Sequence, residues 1–321
     1  MATILFLNMG GPLTLDDVRP YLRNLFADPM LFDVPGGSIL RPILSRLIPT
    51  VRTRKVRRAY ASIGGGSPLL RMTLRQAEAL RIELVARGHD TVAVEVVMRY
   101  TPPRAAEVLA RLSARGETRA LALPLYPQEC RATTGSSLAE LESLRPHLAS
   151  SLQIQVVRSW HLDPGFLDAL TRRVQAAIDS LPAAAQPRAT ILFTAHSVPE
   201  ALPRQGDPYV RQVKETVAAI LDRLGNRHAH RLGWQSRTGP VKWVGPGTDA
   251  VIAELAGTEA VVVVPVSFVS NHIETLYEID LLFGEVARLA GIRHFVRTAA
   301  LDCEPVFIAA LAGLAEPFLV A

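Results

Sequence analysis

His196, Glu274 and Glu278 are the side chains whose type and placement best suit them for chemistry in this 321-residue chain. His196 ends the run Leu192-Phe-Thr-Ala-His196-Ser-Val-Pro, directly after an apolar, strand-like stretch. A neutral imidazole at that edge can accept a proton or meet a metal near neutral pH. The same spacing equally suits a histidine that is simply hydrogen-bonded in a core. Glu274 and Glu278 lie four apart in Ser270-Asn271-His272-Ile-Glu274-Thr-Leu-Tyr277-Glu278-Ile-Asp280, just past the apolar run 260–266. On a helix they share one face, where like charges cost a few tenths of a kcal/mol (about 0.2–0.5), and more once desolvated. Such a row could hold a hard divalent cation or conduct protons. Capping explains the spacing too, because Asn271 with Glu274 three residues on resembles a capping box and acids favour a first helical turn.

Three further segments are unusual. Ile63-Gly64-Gly65-Gly66-Ser67-Pro68 permits close backbone approach, but it lacks the lysine of a Walker loop and no GxGxxG fingerprint follows a strand. A tight turn or a contact with a flat ligand is the better reading than a phosphate cradle. Tyr126-Pro127-Gln128 leads into Thr133-Thr134-Gly135-Ser136-Ser137, where a serine can cap a helix. Trp234-Gln235-Ser236-Arg237-Thr-Gly239-Pro240-Val-Lys-Trp243 holds two of the three tryptophans in a turn-rich stretch, which are costly there unless packed or walling a pocket.

The elements that must position these residues follow from periodicity. Short β-branched runs near 3–8, 91–97, 119–126, 153–158, 189–195, 229–234, 259–266 and 293–298 alternate with amphipathic stretches, including one at 271–290. That is the pattern of βα units feeding parallel sheets, and continuous apolar runs such as Val261–Val264 suit strands buried on both faces. The expected architecture is α/β in two similarly built halves of about four strands each, 1–148 and 149–321. In such sheets ligands collect beyond the carboxyl ends of the strands.

Charge is localised. From Val34 to Ala77 there are nine basic residues and no acidic one, so the whole net charge of +5 arises there and the rest of the chain is mildly acidic. This basic stretch overlaps 29–58, which also contains Met30, Leu31, Phe32, Ile39, Leu40, Ile43, Leu44, Leu47 and Ile48. Two readings stand: an amphipathic helix packed on the body with a solvated basic end, or an apolar lip suited to a membrane surface or a flat apolar anion. Nucleic acid fits less well, since interleaved aromatics are missing. Two distant cysteines, Cys130 and Cys303, support neither a disulfide framework nor a zinc site. The start reads as a first strand, no apolar run approaches the ~18–20 residues that span a bilayer, and a cytoplasmic location is expected.

Assembled in order, these motifs resemble those of the ferrochelatases, enzymes that insert Fe²⁺ into a porphyrin. The resemblance runs from about Ile4 to Leu314: Asn8-Met-Gly-Gly-Pro12, Tyr60 followed by IGGGSP, Met98-Arg99-Tyr100, YPQ with TTGSSL, AHSVP with Gly206-Asp207-Pro208-Tyr209, WQSRTGPVKW, and SNHIETLYEID. It implies two Rossmann-like domains with a porphyrin cleft between them, the C-terminal helix 304–321 packing back on the first. By matching position, His196 and Glu274 are implied as the metal-binding and proton-accepting pair, with Glu278 continuing an acidic path and Asp280 a weaker member. Met9, Arg99, Tyr100 and Trp243, with Tyr126 and Ser236, are implied to line the macrocycle.

The resemblance further implies protohaem synthesis from protoporphyrin IX, since Met at position 9 goes with that substrate whereas coproporphyrin III enzymes tend to have Tyr. Iron is then a substrate, no tightly bound cofactor is expected, and a monomer or weak dimer with peripheral membrane contact through 29–58 is the expected state. Two departures stand out. Asn271 replaces the family's usual Asp, removing a carboxylate, and Arg131 falls where a cluster-bearing member has a cysteine near YPQ, so no iron–sulfur cluster is expected. The alternatives are a coproporphyrin III enzyme or another tetrapyrrole chelatase, and, in a different class, a non-catalytic haem carrier, which would leave Glu274 beside Glu278 unexplained.

Overall fold

The computed structural model describes residues 2–31, 37–239 and 241–320, with side chains for all of these except Ser38 and Ile39. Phe32 and the Ile39 side chain of the expected lip, and Pro240 of the tryptophan-bearing loop, therefore lie outside the described residues.

The chain forms two compact units, Met1–Ser159 with Phe307–Ala321, and Trp160–Val306. In the first unit, β1 (Thr3–Asn8), β2 (Ala93–Met98), β3 (Arg119–Pro124) and β4 (Gln153–Val156) form a parallel sheet in the order β2-β1-β3-β4. In the second, β5 (Thr190–His196), β6 (His230–Gln235), β7 (Ala260–Pro265) and β8 (His294–Arg297) repeat that arrangement as β6-β5-β7-β8. The expected α/β class holds for each unit. The division, however, falls at 159/160 rather than 148/149. The physical reason is pairing: β4 bonds in parallel to β3 from Arg119↔Gln153 to Ala122↔Val156, so the first sheet continues past the helix that ends at Leu148.

Burial follows the sequence pattern. β1 and β7 are buried at every position and β5 at all but His196, whereas the edge strands β4 and β8 are only partly covered. Leu5, Leu7, Val97, Leu109 and Leu141 pack together in the first unit, and Leu192, Ile252, Val261, Val263 and Ile279 in the second. The last helix, Pro305–Leu319, packs in the first unit through buried Phe307, Leu311 and Phe318, with Arg119 over the Phe318 ring.

Two local features bear on the expectations. The described part of 29–58 from Gly37 onward lies in one helix, Gly37–Ala61, packed against Val18–Ala27, as the first of the two readings has it. The expected α-helix at 271–290 is instead π-helical over Glu274–Phe283 before an α-helical end, Gly284–Leu289. A π-helix is bonded i→i+5 and is rare outside functional sites, where its wider turn re-aims side chains.

The triple-glycine segment is a packing joint. Ser67 N–H donates to the Pro12 carbonyl at 2.7 Å, and a Cβ on Gly66 would lie 2.0 Å from the Leu13 carbonyl oxygen. Only glycine permits that approach between backbones, so the turn, not a phosphate, accounts for it.

Candidate functional site

With the order β6-β5-β7-β8, the connections leaving β5 and β7 diverge at the carboxyl edge of the sheet, the kind of switch point where α/β folds place their ligands. His196 is the last residue of β5, Gln235 and Ser236 lie at the end of β6, and the segment after β7 carries Glu274 and Glu278. Topology alone thus brings together four elements of the second unit.

The His196 ring is fixed. Its Nδ1 lies 2.7 Å from the Ser197 carbonyl, which can only accept, so Nδ1 carries a proton and Nε2 is the ring nitrogen left to meet a proton or a metal. The Tyr209 hydroxyl donates to the His196 carbonyl at 3.0 Å, and Asp207 accepts from the Tyr209 N–H at 2.9 Å. This gives the Gly206-Asp207-Pro208-Tyr209 motif a supporting role behind the histidine.

The two glutamates are driven apart. Burial raises the Glu274 carboxyl, but the charge and hydrogen bond of His272, and then the charge of His196, outweigh it and hold the group at about 2. Burial and repulsion from Glu274 push Glu278 above its ordinary value, against hydrogen bonds from Ser236 and Gln235 and the charge of His196. Two nearby carboxyls whose environments separate their pKa values are suited to different tasks, the ionised one to a cation and the other to protons.

Glu278 is gripped from β6. Ser236 Oγ donates to its Oε2 at 2.5 Å and Gln235 Nε2 to the same oxygen at 3.1 Å, while Gln235 also reaches the Glu274 carbonyl at 3.1 Å. Gln235 is itself held by Thr194 Oγ1 at 3.0 Å. Asp280, by contrast, is taken up by Arg297 in a two-pronged ion pair at 2.7 and 2.8 Å.

Trp243 lies on a segment that pairs back onto the residues after His196: Val244 N–H donates to Val198, and Ser197 Oγ to the Val244 carbonyl at 2.7 Å. Its own Nε1 donates to the Thr238 carbonyl at 3.0 Å, leaving the ring partly exposed. Trp234 is not a loop residue: it is buried in β6 with its ring 6.1 Å from that of Tyr209.

In the first unit, Met9 follows β1, Arg99 and Tyr100 follow β2, and Tyr126 follows β3, the corresponding edge of the corresponding sheet. Met9 is partly exposed and its carbonyl accepts from Tyr100 N–H at 3.0 Å. Arg99 is consumed internally: its guanidinium donates to Ser136 Oγ at 2.7 Å, Asp28 at 2.9 Å and Glu140 at 3.2 Å. Tyr100 is 1% exposed and donates to Asp28 at 2.7 Å, and burial together with Asp28 pushes its hydroxyl up. Burial likewise raises the Tyr126 hydroxyl.

Three residues of these networks were not singled out from sequence. His272, within the quoted SNHIET segment, places Nδ1 2.7 Å from Glu274 Oε2, where a protonated Nδ1 donates to the carboxylate, and its Nε2 is buried without a hydrogen-bond partner among the described residues. Gln235 sits inside WQSR, where its glutamine type was the only signal. Asp28 had none, lying between a helix and the lip. Among the described residues no three or more His, Cys, Asp or Glu side chains are arranged to hold a metal. His196 and Glu274 are near enough for the imidazole charge to act on the carboxyl.

The Ferrochelatase family model matches residues 2–318. A ferrochelatase of Synechococcus sp. (strain JA-3-3Ab) is 44% identical over 99% of this chain and 93% of its own length, and one from Gloeobacter violaceus is 43% identical over 97% and 95%. Among solved structures, SirB from Bacillus subtilis with Fe³⁺ superposes with a TM-score of 0.57 at 11% identity, over 98% of this chain and 94% of that one. A multi-domain Deinococcus radiodurans protein with structural similarity to chelatases gives 0.53 at 13% identity, over 98% and 55%. These two likenesses concern the fold.

Proposed function

The chain belongs to the ferrochelatase family, a lyase of haem biosynthesis whose substrates are a porphyrin and iron, and from that premise we propose how its own residues carry the reaction and which porphyrin they take. A free-base macrocycle carries two N–H protons, so insertion requires delivering Fe²⁺ and removing both. His196 through Nε2 and ionised Glu274 receive the iron, and Glu278, whose raised pKa suits it to accept a proton, passes protons away. An open pair of borderline and hard donors suits a metal that must leave again. Within the first unit Met9 and Tyr126 are the porphyrin-facing residues, with Arg99 and Tyr100 forming the wall behind Met9, and within the second Ser236 and Trp243 serve that role.

The porphyrin is protoporphyrin IX. The observation that carries this is the chemistry beside Met9: an apolar side chain at the end of β1, next to Arg99 at the end of the neighbouring β2, whose charge Asp28 and Glu140 already neutralise. Vinyl groups suit that apolar edge better than the two additional propionates of coproporphyrin III, because Arg99 already spends its charge on Asp28 and Glu140. Turnover on the two porphyrins tests it, and faster turnover of coproporphyrin III would reverse the assignment.

The protein works as a monomer or weak dimer in the cytoplasm without a tightly bound cofactor. An all-thiolate iron–sulfur cluster takes four cysteines, and the chain has two. No helix among the described residues is long and apolar enough to cross a membrane. Peripheral contact is supported by Gly37–Ala61, where Leu40, Ile43, Leu47 and Val51 form an exposed stripe leading to Arg54, Lys55, Arg57 and Arg58. Apolar insertion beside basic charge is the pattern of an interfacial helix on anionic lipid.

A further inference from the structure

We propose that Asp28 is a positioning residue for porphyrin binding, locking the Met9-Arg99-Tyr100 edge of the first unit to the base of the lip helix. It rests on the reading that this edge contacts the macrocycle.

Asp28 caps the helix Val18–Ala27, and its side chain is fully buried. One carboxylate oxygen receives Arg99, Tyr100 and Ser136, and the other accepts the Met30 N–H at 2.8 Å. The Asp28 carbonyl takes Arg41 of the lip helix at 2.9 Å, and Arg131 holds the Met30 carbonyl at 3.2 Å. Tyr100 is gripped along a single helix face, since Tyr21 packs edge-on to its ring at 6.3 Å, Asn24 donates to its carbonyl at 2.9 Å, and Asp28 takes its hydroxyl. Spacings of three and four put these side chains on one side of the helix.

Stability alone does not call for this arrangement. Burying a carboxylate with a guanidinium carries a desolvation cost that apolar residues of similar volume avoid. What the ion pair adds is direction. Arg99 and Arg104 share Glu140, so Asp28 supplies the second negative charge of the set, and its removal would leave Arg99 and Arg104 competing for one carboxylate. The wall behind Met9 would then shift with the arginine and fit the macrocycle less closely.

The test is titration of the metal-free full-length protein with free-base protoporphyrin IX, followed by fluorescence, alongside steady-state kinetics and thermal unfolding. Asp28→Asn should weaken the porphyrin Kd about tenfold or more and raise KM in parallel, with kcat at saturation largely kept. Tyr100→Phe, which deletes only the hydroxyl bonded to Asp28, should shift Kd in the same direction by less, and it carries the test if Asp28→Asn fails to fold. Met9→Ala reports on the edge itself. A weakened Met9→Ala with unchanged Kd in both other variants overturns the role of Asp28 alone. Unchanged binding by Met9→Ala overturns the reading of the edge and the proposal with it. A lowered unfolding temperature with unchanged Kd and KM shows Asp28 to be structural only, and also overturns it.

Discussion

Ser236 holds Glu278 from a left-handed backbone conformation: at φ 64° its hydroxyl donates to Glu278 Oε2 at 2.5 Å. A non-glycine residue tolerates that region only where its surroundings over-determine it, and such residues gather at functional sites. Removing the hydroxyl strips a buried carboxylate of a charge-assisted hydrogen bond, worth about 1.5–3 kcal/mol. Ser236→Ala should therefore lower kcat by about ten- to a hundredfold with a smaller change in KM. Steady-state kinetics on protoporphyrin IX would check this, and a kcat equal to wild type would remove Ser236 from the proton path.

The raised pKa of Glu278 makes stability depend on pH in a definite direction. A carboxyl raised on folding contributes fully below its ordinary value of 4.5, and the contribution is lost as pH rises through the folded-state value. Glu278→Gln, which cannot ionise, should gain unfolding temperature relative to wild type as pH is raised from about 4 toward 8. Parallel curves for the two proteins would contradict the shift. Glu274 behaves oppositely: its stabilising contribution is present above about 4.5 and fades as pH falls toward 2.

Gly66 tests the joint between the two loops of the first unit. Because its absent Cβ would meet a backbone carbonyl at 2.0 Å, the neighbour cannot swing aside. Gly66→Ala should destabilise by about 1–3 kcal/mol, the usual range for overpacking, seen as a lower denaturation midpoint. Wild-type stability would mean that the loops separate easily.

The lip helix should bind anionic surfaces. Leu47 and Val51 are 59% and 82% exposed, with the basic end of the helix beginning at Arg52, directly after Val51. Wild-type protein should sediment with phosphatidylglycerol vesicles at low salt and less at high salt, and Leu47→Glu with Val51→Glu should lose the binding. Equal sedimentation of the double variant would place the contact elsewhere.

Much of this was legible in the residues. The eight strands among the described residues stand near the short runs read as strands, and Val261–Val264 shows why: a strand buried on both faces needs a continuous apolar stretch. His196 was visible because a polar residue ending such a run must lie at the sheet edge. The π-helical turn was not visible, since Glu274-Thr-Leu-Tyr-Glu278 has the same spacing in either helix. Nor was the boundary after Ser159, because β4 carries no mark of the sheet it joins. Asp28 was hidden for a similar reason: its partners Arg99 and Ser136 are more than 70 residues away, and only folding brings them together.

The most direct test of the central claim is anaerobic Fe²⁺ insertion into protoporphyrin IX by His196→Ala and Glu274→Gln, with folding checked by thermal unfolding. Loss of a metal-directing or proton-accepting group should reduce kcat by about 10²–10⁴ in each variant while porphyrin binding persists. Near wild-type rates in both, with folding intact, would contradict the assignment of the iron and its protons to this pair.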